Sequence, residues 1–368
     1  MFDKEISPYQ NVSILLLISF GFQTMLMPII LSTVDGPVGW ISIIAGAAIL
    51  FFMVRPINKI MDKYNNDTIV GISGRMFPKL ISKLIGVYYI SLFIIANGWL
   101  MKDFGEQIKL LMLYKTPISI IIMTILLAAS YAAKKGIQTI AQIAHITVLI
   151  AFIPYILVII FSTYYSDYTN IFPMIPMDIG KVAKAVPNTI FGFFGFSVLM
   201  FSNCYVEPSE KNMILNKKFI LISMAVYIAC YVLIIIKFGM VEATKLVWPF
   251  LSVMKFVNIP GFFFESTEIV GMSFQIIVTF TCVCILMFFT NLVMEETLET
   301  KENGYFIFIQ IPILYVTAAV LPGMYMLYPY IKIPAYIFSA LNLLIPLMII
   351  YKDYRNNRFS NRRAIEER

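Results

Sequence analysis

Residues 118–129 read ISIIIMTILLAA, and this run decides the fold class. Only one serine and one threonine interrupt it, so a helix made of these residues is apolar on every face. Strands of a membrane β-barrel would instead alternate apolar and polar residues over about ten positions. Because backbone groups in lipid must bond within the protein, only helices and closed barrels cross a membrane. The run therefore predicts a transmembrane helix.

The rest of the chain has the same character. Of its 368 residues, 60% are hydrophobic and 13% are charged, and the mean hydropathy is +0.82. A water-soluble fold could not bury that much apolar surface. Each helical crossing needs about 20 mostly apolar residues. We therefore predict an all-α integral membrane protein that forms a single membrane domain over residues 1–368 and has ten transmembrane helices.

Apolar stretches separated by polar segments define the ten predicted spans. The first five-helix half, residues 11–162, contains Asn11–Thr33, Val38–Val54, Leu80–Met101, Pro117–Ala133 and Ile137–Ser162. The second half, residues 187–351, contains Pro187–Cys204, Lys218–Lys237, Phe264–Met294, Tyr305–Tyr328 and Ile333–Tyr351. A basic tail, residues 352–368, follows the tenth span.

The distribution of basic residues predicts the orientation. With the N-terminus inside, 19 of the 28 Lys and Arg residues lie in cytoplasmic segments, which favours cytoplasmic N- and C-termini in a bacterial inner membrane. The net charge of +7 comes from short loops and the tail, which belong at anionic membrane lipid, so we expect no nucleic-acid partner. The first apolar run lacks a basic leader and a cleavage site, and we expect it to remain as the first helix.

Two of the ten spans are interrupted by glycines and polar residues in a way that the others are not. The first span reads SFGFQT at residues 19–24, and Pro28 follows; the sixth reads PNTIFGFFGFS at residues 187–197. Each is the opening helix of its half. Matched interruptions of this kind predict a five-plus-five inverted repeat, leucine-transporter-like, with helices 1 and 6 broken and a binding site at mid-membrane. The alternative is that the glycines only allow close helix packing.

A small ligand is the expected occupant of such a site. Unwinding at residues 21–24 would free amides for a carboxylate, and carbonyls released at residues 192–197 would accept hydrogen bonds from an ammonium group. Polar residues on the third and eighth spans would contact the ligand side chain. The predicted ligand-binding residues are Gly21, Phe22, Gln23, Thr24, Asn97, Gly192, Gly195, Phe196, Ser197, Gln275 and Thr279.

The only histidine, His145, shares one face of the fifth span with Gln138 and Gln142. We expect this face to look into the helix bundle, because lipid would leave its polar groups without partners. Two roles stay open for His145: an interhelical hydrogen bond, and a proton-linked function, since imidazole titrates near neutral pH.

Nothing in the sequence indicates catalysis. One histidine cannot support most hydrolytic schemes, and there is no phosphate-binding glycine loop or metal-ligand cluster, so we expect no enzyme, metal or cofactor. Charged residues are nearly absent from the predicted membrane interior, which argues against a proton pump. The cysteines lie in or beside apolar runs, where they act as small hydrophobic residues: Cys204, Cys230, Cys282 and Cys284.

Several short motifs resemble one family. The chain reads WPFLS at residues 248–252 and PGFFFESTE at 260–268, with GWI at 39–41 and KTP at 115–117. In their order and spacing they are similar to the B subunits of bacterial spore germinant receptors, which are related to amino-acid permeases. That family usually has Glu-Arg-x-Glu in the second motif, and Ser266 stands here in place of the arginine.

The resemblance implies the fold of the amino acid, polyamine and organocation transporters. It also implies assembly with germinant receptor A and C subunits in the inner membrane of a spore, and binding of a small nutrient, with an amino acid as the leading candidate. Three functions remain open: a nutrient sensor that triggers germination, an amino-acid transporter coupled to protons or sodium, and a structural subunit that anchors its partners. The sequence does not name the nutrient.

Overall fold

The computed structural model describes residues 5–33, 38–64, 67–163, 166–172, 178–255, 267–300 and 304–366. Within these ranges the chain is helical and contains no strand. Two short 3₁₀ helices, Tyr168–Ile171 and Asn203–Tyr205, join the α-helices. The α-helices are α1 (Pro8–Thr33), α2 (Trp40–Lys63), α3 (Ile69–Met76), α4 (Lys79–Leu111), α5 (Ile118–Lys134), α6 (Ile137–Thr163), α7 (Ile179–Gly192), α8 (Gly195–Ser202), α9 (Glu210–Ala243), α10 (Pro249–Lys255), α11 (Thr267–Leu298), α12 (Tyr305–Val320) and α13 (Met324–Glu366).

The helices are long and apolar enough for a multi-pass membrane protein. In the described part of the chain, α2, α4, α6, α9, α11 and α13 each contain a stretch that meets the length and hydropathy of a membrane crossing, and the bent pair α7–α8 adds a seventh. The apolar helices α5 and α12 are shorter, with 17 and 16 residues. The helix α1 has 26 residues.

One predicted boundary is wrong. The ninth predicted span extends to Tyr328, but α12 ends at Val320 and α13 begins at Met324. The sequence between them is Leu321, Pro322 and Gly323. A residue that precedes proline avoids the helical region, so the helix ends before Leu321.

The helices α1 and α8 lie at the centre of the bundle. Every residue of α8 is buried, as are the described side chains of α1 from Asn11 to Leu31. The helix α1 packs against α6, α7, α8, α9 and α11. This placement puts the bend between α7 and α8 beside the middle of α1.

The two predicted breaks have different outcomes. The sixth span bends by 42° between α7 and α8, as predicted, whereas α1 is helical from Pro8 to Thr33. The predicted unwinding at residues 21–24 is therefore wrong. A Cβ atom added to Gly21 would lie 2.8 Å from the Cys282 sulfur of α11, so this glycine serves close packing of an intact helix.

The prediction that the polar face of α6 looks into the bundle is also wrong. Gln138, Gln142 and His145 are exposed, because the face of α6 that packs inward carries small and aliphatic residues such as Ala144. The interhelical hydrogen bond expected for His145 is present, since its Nδ1 atom lies 2.9 Å from the Ser13 hydroxyl of α1.

Candidate functional site

The bend between α7 and α8 is a short interruption at two phenylalanines. Phe193 has φ −78° and ψ 48°, which ends the α-helical conformation. Its N–H still donates to Thr189 O at 3.2 Å, and Phe196 N–H donates to Phe193 O at 2.9 Å. Backbone groups on both sides of this interruption lose their helical partners and must find others, because the site is buried.

Side chains from neighbouring helices supply some of those partners. The Tyr227 hydroxyl of α9 lies 2.9 Å from Gly192 O and 2.5 Å from Ser19 O, and its single proton is donated to one carbonyl at a time. The N–H of Gly195 donates to the Ser19 hydroxyl at 3.3 Å. The bend is therefore tied to both α1 and α9.

The two glycines at the bend allow α1 to approach closely. A Cβ atom at Gly195 would collide with the backbone carbonyl of Leu15, and one at Gly192 would collide with the Leu26 side chain. A backbone oxygen cannot move aside as a side chain can. Gly195 is thus the more tightly constrained of the two positions.

Aromatic rings fill the space next to the bend. Phe22 of α1 stacks on Phe194, with centroids 4.4 Å apart and planes 15° apart. Phe191 meets both rings edge-on, and Trp99 of α4 meets Phe191 in the same way at 6.0 Å. We call Phe22, Phe191 and Phe194 the aromatic plug. Phe196, one of the predicted ligand-binding residues, is also buried.

Several buried amides without hydrogen bonds lie on the helices that carry or adjoin the plug. In the described part of the chain, both polar side-chain atoms of Asn97 and Asn188 lack a hydrogen-bond partner, and both residues are fully buried. The Gln23 amide lies beside the Cys230 thiol, a weak partner, and has no other hydrogen bond there. Each buried polar group without a hydrogen bond costs about 1–3 kcal/mol. A polar ligand that formed hydrogen bonds with these amides would offset part of that cost.

Helix periodicity places these amides on faces that meet at the plug. On α7, Asn188 is one turn before Gly192, which contacts Leu26 of α1. On α4, Asn97 follows Phe93 by one turn, and the Phe93 ring lies 6.1 Å from that of Phe194. Asn188 therefore shares a helix face with a contact to α1, and Asn97 shares one with a contact to the bend.

The α11 residue Thr279 completes the group. It lies one turn before Cys282, which contacts Gly21, and its hydroxyl is buried without a partner in the described chain. We call Gln23, Asn97, Asn188 and Thr279 the amide ring, although Thr279 contributes a hydroxyl.

Three further residues were predicted to bind the ligand: Ser197, Gln275 and Thr24. The Ser197 hydroxyl already accepts a hydrogen bond from Asn342 Nδ2 at 2.9 Å. Gln275 lines a narrow cavity with Tyr155 and Phe250 beneath α10. The side chain of Thr24 lies outside the described residues. Asn188 was missed, although it is part of the quoted PNTIF run of the sixth span.

A second hydrogen-bonded group lies near the end of α4. The Trp248 indole donates to one oxygen of the buried Asp103 carboxylate at 2.7 Å, and Gln107 Nε2 donates to the other at 2.8 Å. These bonds tie the start of α10 to α4 and give the tryptophan of the WPFLS motif a structural role. The other half of that motif region, residues 256–266, lies outside the described residues.

A cluster of buried asparagines lies where α1 begins. The Asn203 side-chain oxygen accepts hydrogen bonds from Asn11 Nδ2 at 2.9 Å and Asn216 Nδ2 at 3.0 Å, while its nitrogen donates to Asn58 Oδ1 at 2.8 Å. Asn212 is a more distant donor at 3.5 Å. The end of α8 is thereby tied to α1, α2 and α9. The sequence analysis missed this cluster, because its members are far apart along the chain.

Comparison with known proteins identifies one family. Residues 5–323 match the family described as spore germination protein. Spore germination protein A2 of Bacillus subtilis (strain 168) is 22% identical over 312 residues, which are 84% of this chain and 86% of the relative. Spore germination protein YndE of the same organism is 24% identical over 326 residues, 86% and 88% of the two chains.

A third relative agrees with these two. Spore germination protein B2 of the same organism is 20% identical over 253 residues, 68% of each chain. The family match covers far more than half of this chain, and the proteins concerned are germination and permease-like proteins, not an enzyme family. The chain therefore belongs to the spore germination protein family.

Proposed function

We propose that this chain is the B subunit of a spore nutrient germinant receptor. It lies in the spore inner membrane, binds a small nutrient at the α7–α8 bend and triggers germination. The observation that carries the proposal is the amide ring: buried polar side chains on α1 and α7, and on the adjoining α4 and α11, have atoms without a hydrogen-bond partner in the described chain. Family membership supports the germination role.

An amino acid suits the chemistry of this ring. Its carboxylate accepts hydrogen bonds from amide N–H groups, and its ammonium group donates to amide oxygens and to carbonyls such as that of Gly192. Because α1 is intact, the carboxylate would be bound by the side chains of Gln23, Asn97 and Asn188 and not by unwound backbone. A neutral zwitterion also avoids placing net charge in the membrane interior.

Binding at this site requires a change of conformation. The stacked rings of Phe22 and Phe194 fill space at the bend, so a ligand that binds there must displace at least one ring. The ligand would then favour a second state of the bundle, and only a ligand with different affinities for the two states sends a signal. The Tyr227 hydroxyl would be free to bond Ser19 O when a ligand takes Gly192 O.

The proposal includes a membrane layout. Ten crossings form two inverted five-helix repeats, residues 11–162 and 187–351, with the sixth helix broken and the first intact. Both termini and the basic tail, residues 352–368, face the cytoplasm, as the Lys and Arg distribution favours. The A and C subunits of the receptor would be its protein partners.

Amino-acid transport is the second candidate function. The asparagine cluster ties the end of α8 to α1, α2 and α9, and the Asp103–Trp248 contact ties α4 to α10. In a permease these would be the contacts that open in turn. A transporter and a sensor would use the same amide ring. They differ in whether the ligand is released on the far side.

Two assays test the proposal. Spores with and without the gene are screened for germination across single amino acids, and we expect at least one response to need this chain. The purified chain is then placed in proteoliposomes, and bound and internalised ligand are measured separately. Saturable binding without uptake supports the receptor, and uptake supports the transporter. If no nutrient response depends on the gene and no amino acid binds, the proposed function is wrong.

A further inference from the structure

A cleft of about 270 Å³ lies where α13 passes the end of α3. Five residues line it: Phe77, Met348, Tyr351, Lys352 and Arg355. It is distinct in composition from the amide ring, since it combines apolar and aromatic side chains with two cations. Nothing in the proposed nutrient site uses these residues.

The position of this cleft along α13 corresponds to a membrane surface. The helix is apolar over most of residues 333–350, and these 18 residues rise about 27 Å, close to the hydrocarbon thickness of about 30 Å. The next residues read YKDYR at 351–355. Tyr351 and Tyr354 are 67% and 64% exposed, as is typical of aromatic residues at lipid headgroups.

Local contacts hold the cations at the cleft. Asp353 accepts hydrogen bonds from Lys63 Nζ at 2.5 Å and from the Tyr64 hydroxyl at 2.8 Å, which fixes this part of α13 against the end of α2. On another face, Lys352 Nζ lies 4.1 Å from the centre of the Phe77 ring. The helix cannot rotate its cations away from the cleft without losing the Asp353 contacts.

The cleft pairs positive charge with an apolar wall. Within the described part of the chain, neither Lys352 nor Arg355 forms an ion pair. Met348 is 50% exposed on the membrane side, one turn from Lys352. A ligand that fits must carry an anionic group at the surface and hydrocarbon below it.

We propose that this cleft binds an anionic phospholipid. The phosphate lies between Lys352 and Arg355, and an acyl chain descends along Met348. Basic pockets beside transmembrane helices are the usual sites for such headgroups. Four further arginines follow in the sequence and add attraction to an anionic surface: Arg358, Arg362, Arg363 and Arg368. The inference depends only on α13 crossing the membrane, and not on which nutrient binds or on whether any does.

The test compares lipids on the purified full chain in detergent. Phosphatidylglycerol and phosphatidylcholine with identical acyl chains are titrated in turn, and retained lipid is counted by native mass spectrometry. We expect phosphatidylglycerol to bind at least tenfold more tightly. The Lys352→Gln and Arg355→Gln double variant should lose about thirtyfold in that affinity, because each basic residue contributes about a fivefold factor near an anionic surface.

Two matched variants distinguish binding at this cleft from attraction of the lipid to basic residues in general. Lys134→Gln with Lys135→Gln removes two lysines that also lie over aromatic rings, at the end of α5, and should bind phosphatidylglycerol as the wild type does. Lys352→Arg with Arg355→Lys keeps both charges and should retain binding.

Three results would overturn the inference. The first is equal binding of the two lipids, and the second is an equal loss of phosphatidylglycerol affinity in the Lys352→Gln, Arg355→Gln variant and the Lys134→Gln, Lys135→Gln variant. The third is full displacement of the lipid by millimolar inorganic phosphate. The last would indicate a site for soluble phosphate instead.

Discussion

The middle of α1 and the junction of α7 with α8 lie side by side in the core, yet α1 runs unbroken through Gly21 while the junction bends by 42°. Both stretches are rich in glycine, phenylalanine and small polar residues. At the junction, Tyr227 and Ser19 supply partners for Gly192 O and Gly195 N–H. In α1, Gly21 instead packs on Cys282. At the junction the neighbouring helices bond backbone groups that the break releases, whereas the glycine of α1 serves helix packing.

The largest expected effect is at Gly195. Replacing Gly195 by Val should force apart α8 and α1, because even the Cβ atom meets the Leu15 carbonyl. We expect a loss of about 3 kcal/mol or more and little folded protein. Abundance and thermal unfolding in detergent measure this. Gly74→Val is the control, since its Cβ atom meets only Ser82 Oγ at 3.4 Å. Equal abundance of the two variants would contradict the close contact.

A smaller effect is expected at Tyr227. Tyr227→Phe removes the hydroxyl that serves Gly192 O and Ser19 O, and should destabilise the chain by about 1–3 kcal/mol. Ser223→Ala, one turn earlier on α9, removes a buried hydroxyl that has no partner in the described chain and should be neutral or stabilising. The comparison is made by thermal unfolding of both variants. If Tyr227→Phe is as stable as Ser223→Ala, the bend does not depend on that hydrogen bond.

At Gly21 the expected cost is about 1 kcal/mol. Gly21→Ala places a methyl group 2.8 Å from the Cys282 sulfur, and a side chain can move where a backbone cannot. Because the loss of stability comes from a single contact, the Gly21→Ala, Cys282→Ala double variant should recover most of the stability that Gly21→Ala loses. Unfolding measurements on the two single variants and the double variant give the coupling. Strictly additive losses would show that Gly21 has another role.

The smallest expected effect is at His145, on the exposed face of α6. A hydrogen bond between transmembrane helices contributes about 0.6 kcal/mol on average, and we expect a loss of that size when the bond to Ser13 is removed. His145→Gln keeps a donor and an acceptor and should be milder than His145→Leu, both in stability and in the germination response. If His145→Gln abolishes the germination response while the chain still assembles, the result favours the proton-linked role over the interhelical hydrogen bond.

The sequence predicted the helical class and the bend at residues 192–197 because both follow from local composition. It did not predict that α1 is intact, since the outcome depends on Cys282, more than 250 residues away. The same limit explains the outward turn of Gln138 and Gln142, because the packing of a peripheral helix depends on its neighbours. Sequence patterns show where a helix could break, and tertiary partners decide whether it does.

The sequence predicted only part of the candidate site, because the partners of its side chains are also distant in sequence. Gln23, Asn97 and Thr279 were selected as polar residues in apolar spans, and each is buried without full hydrogen bonding in the described chain. Asn188 was not predicted, because the glycines that mark the break follow it in the sequence. Ser197 was predicted to bind the ligand, and its hydroxyl is instead paired in the structure with Asn342, which lies on a helix distant in sequence. Hydropathy predicts which side chains are buried, but it does not predict their hydrogen-bond partners.

The most direct test of the amide ring is the affinity of the purified chain for the amino acid found in the germination screen. Isothermal titration compares the wild type with Asn188→Leu, which keeps the side-chain size and removes both polar atoms. Thermal unfolding is measured in parallel, and we expect stability to be unchanged or higher, because the amide has no partner in the unliganded chain. The account predicts at least a tenfold weaker affinity. An unchanged affinity in a stable Asn188→Leu protein would contradict it.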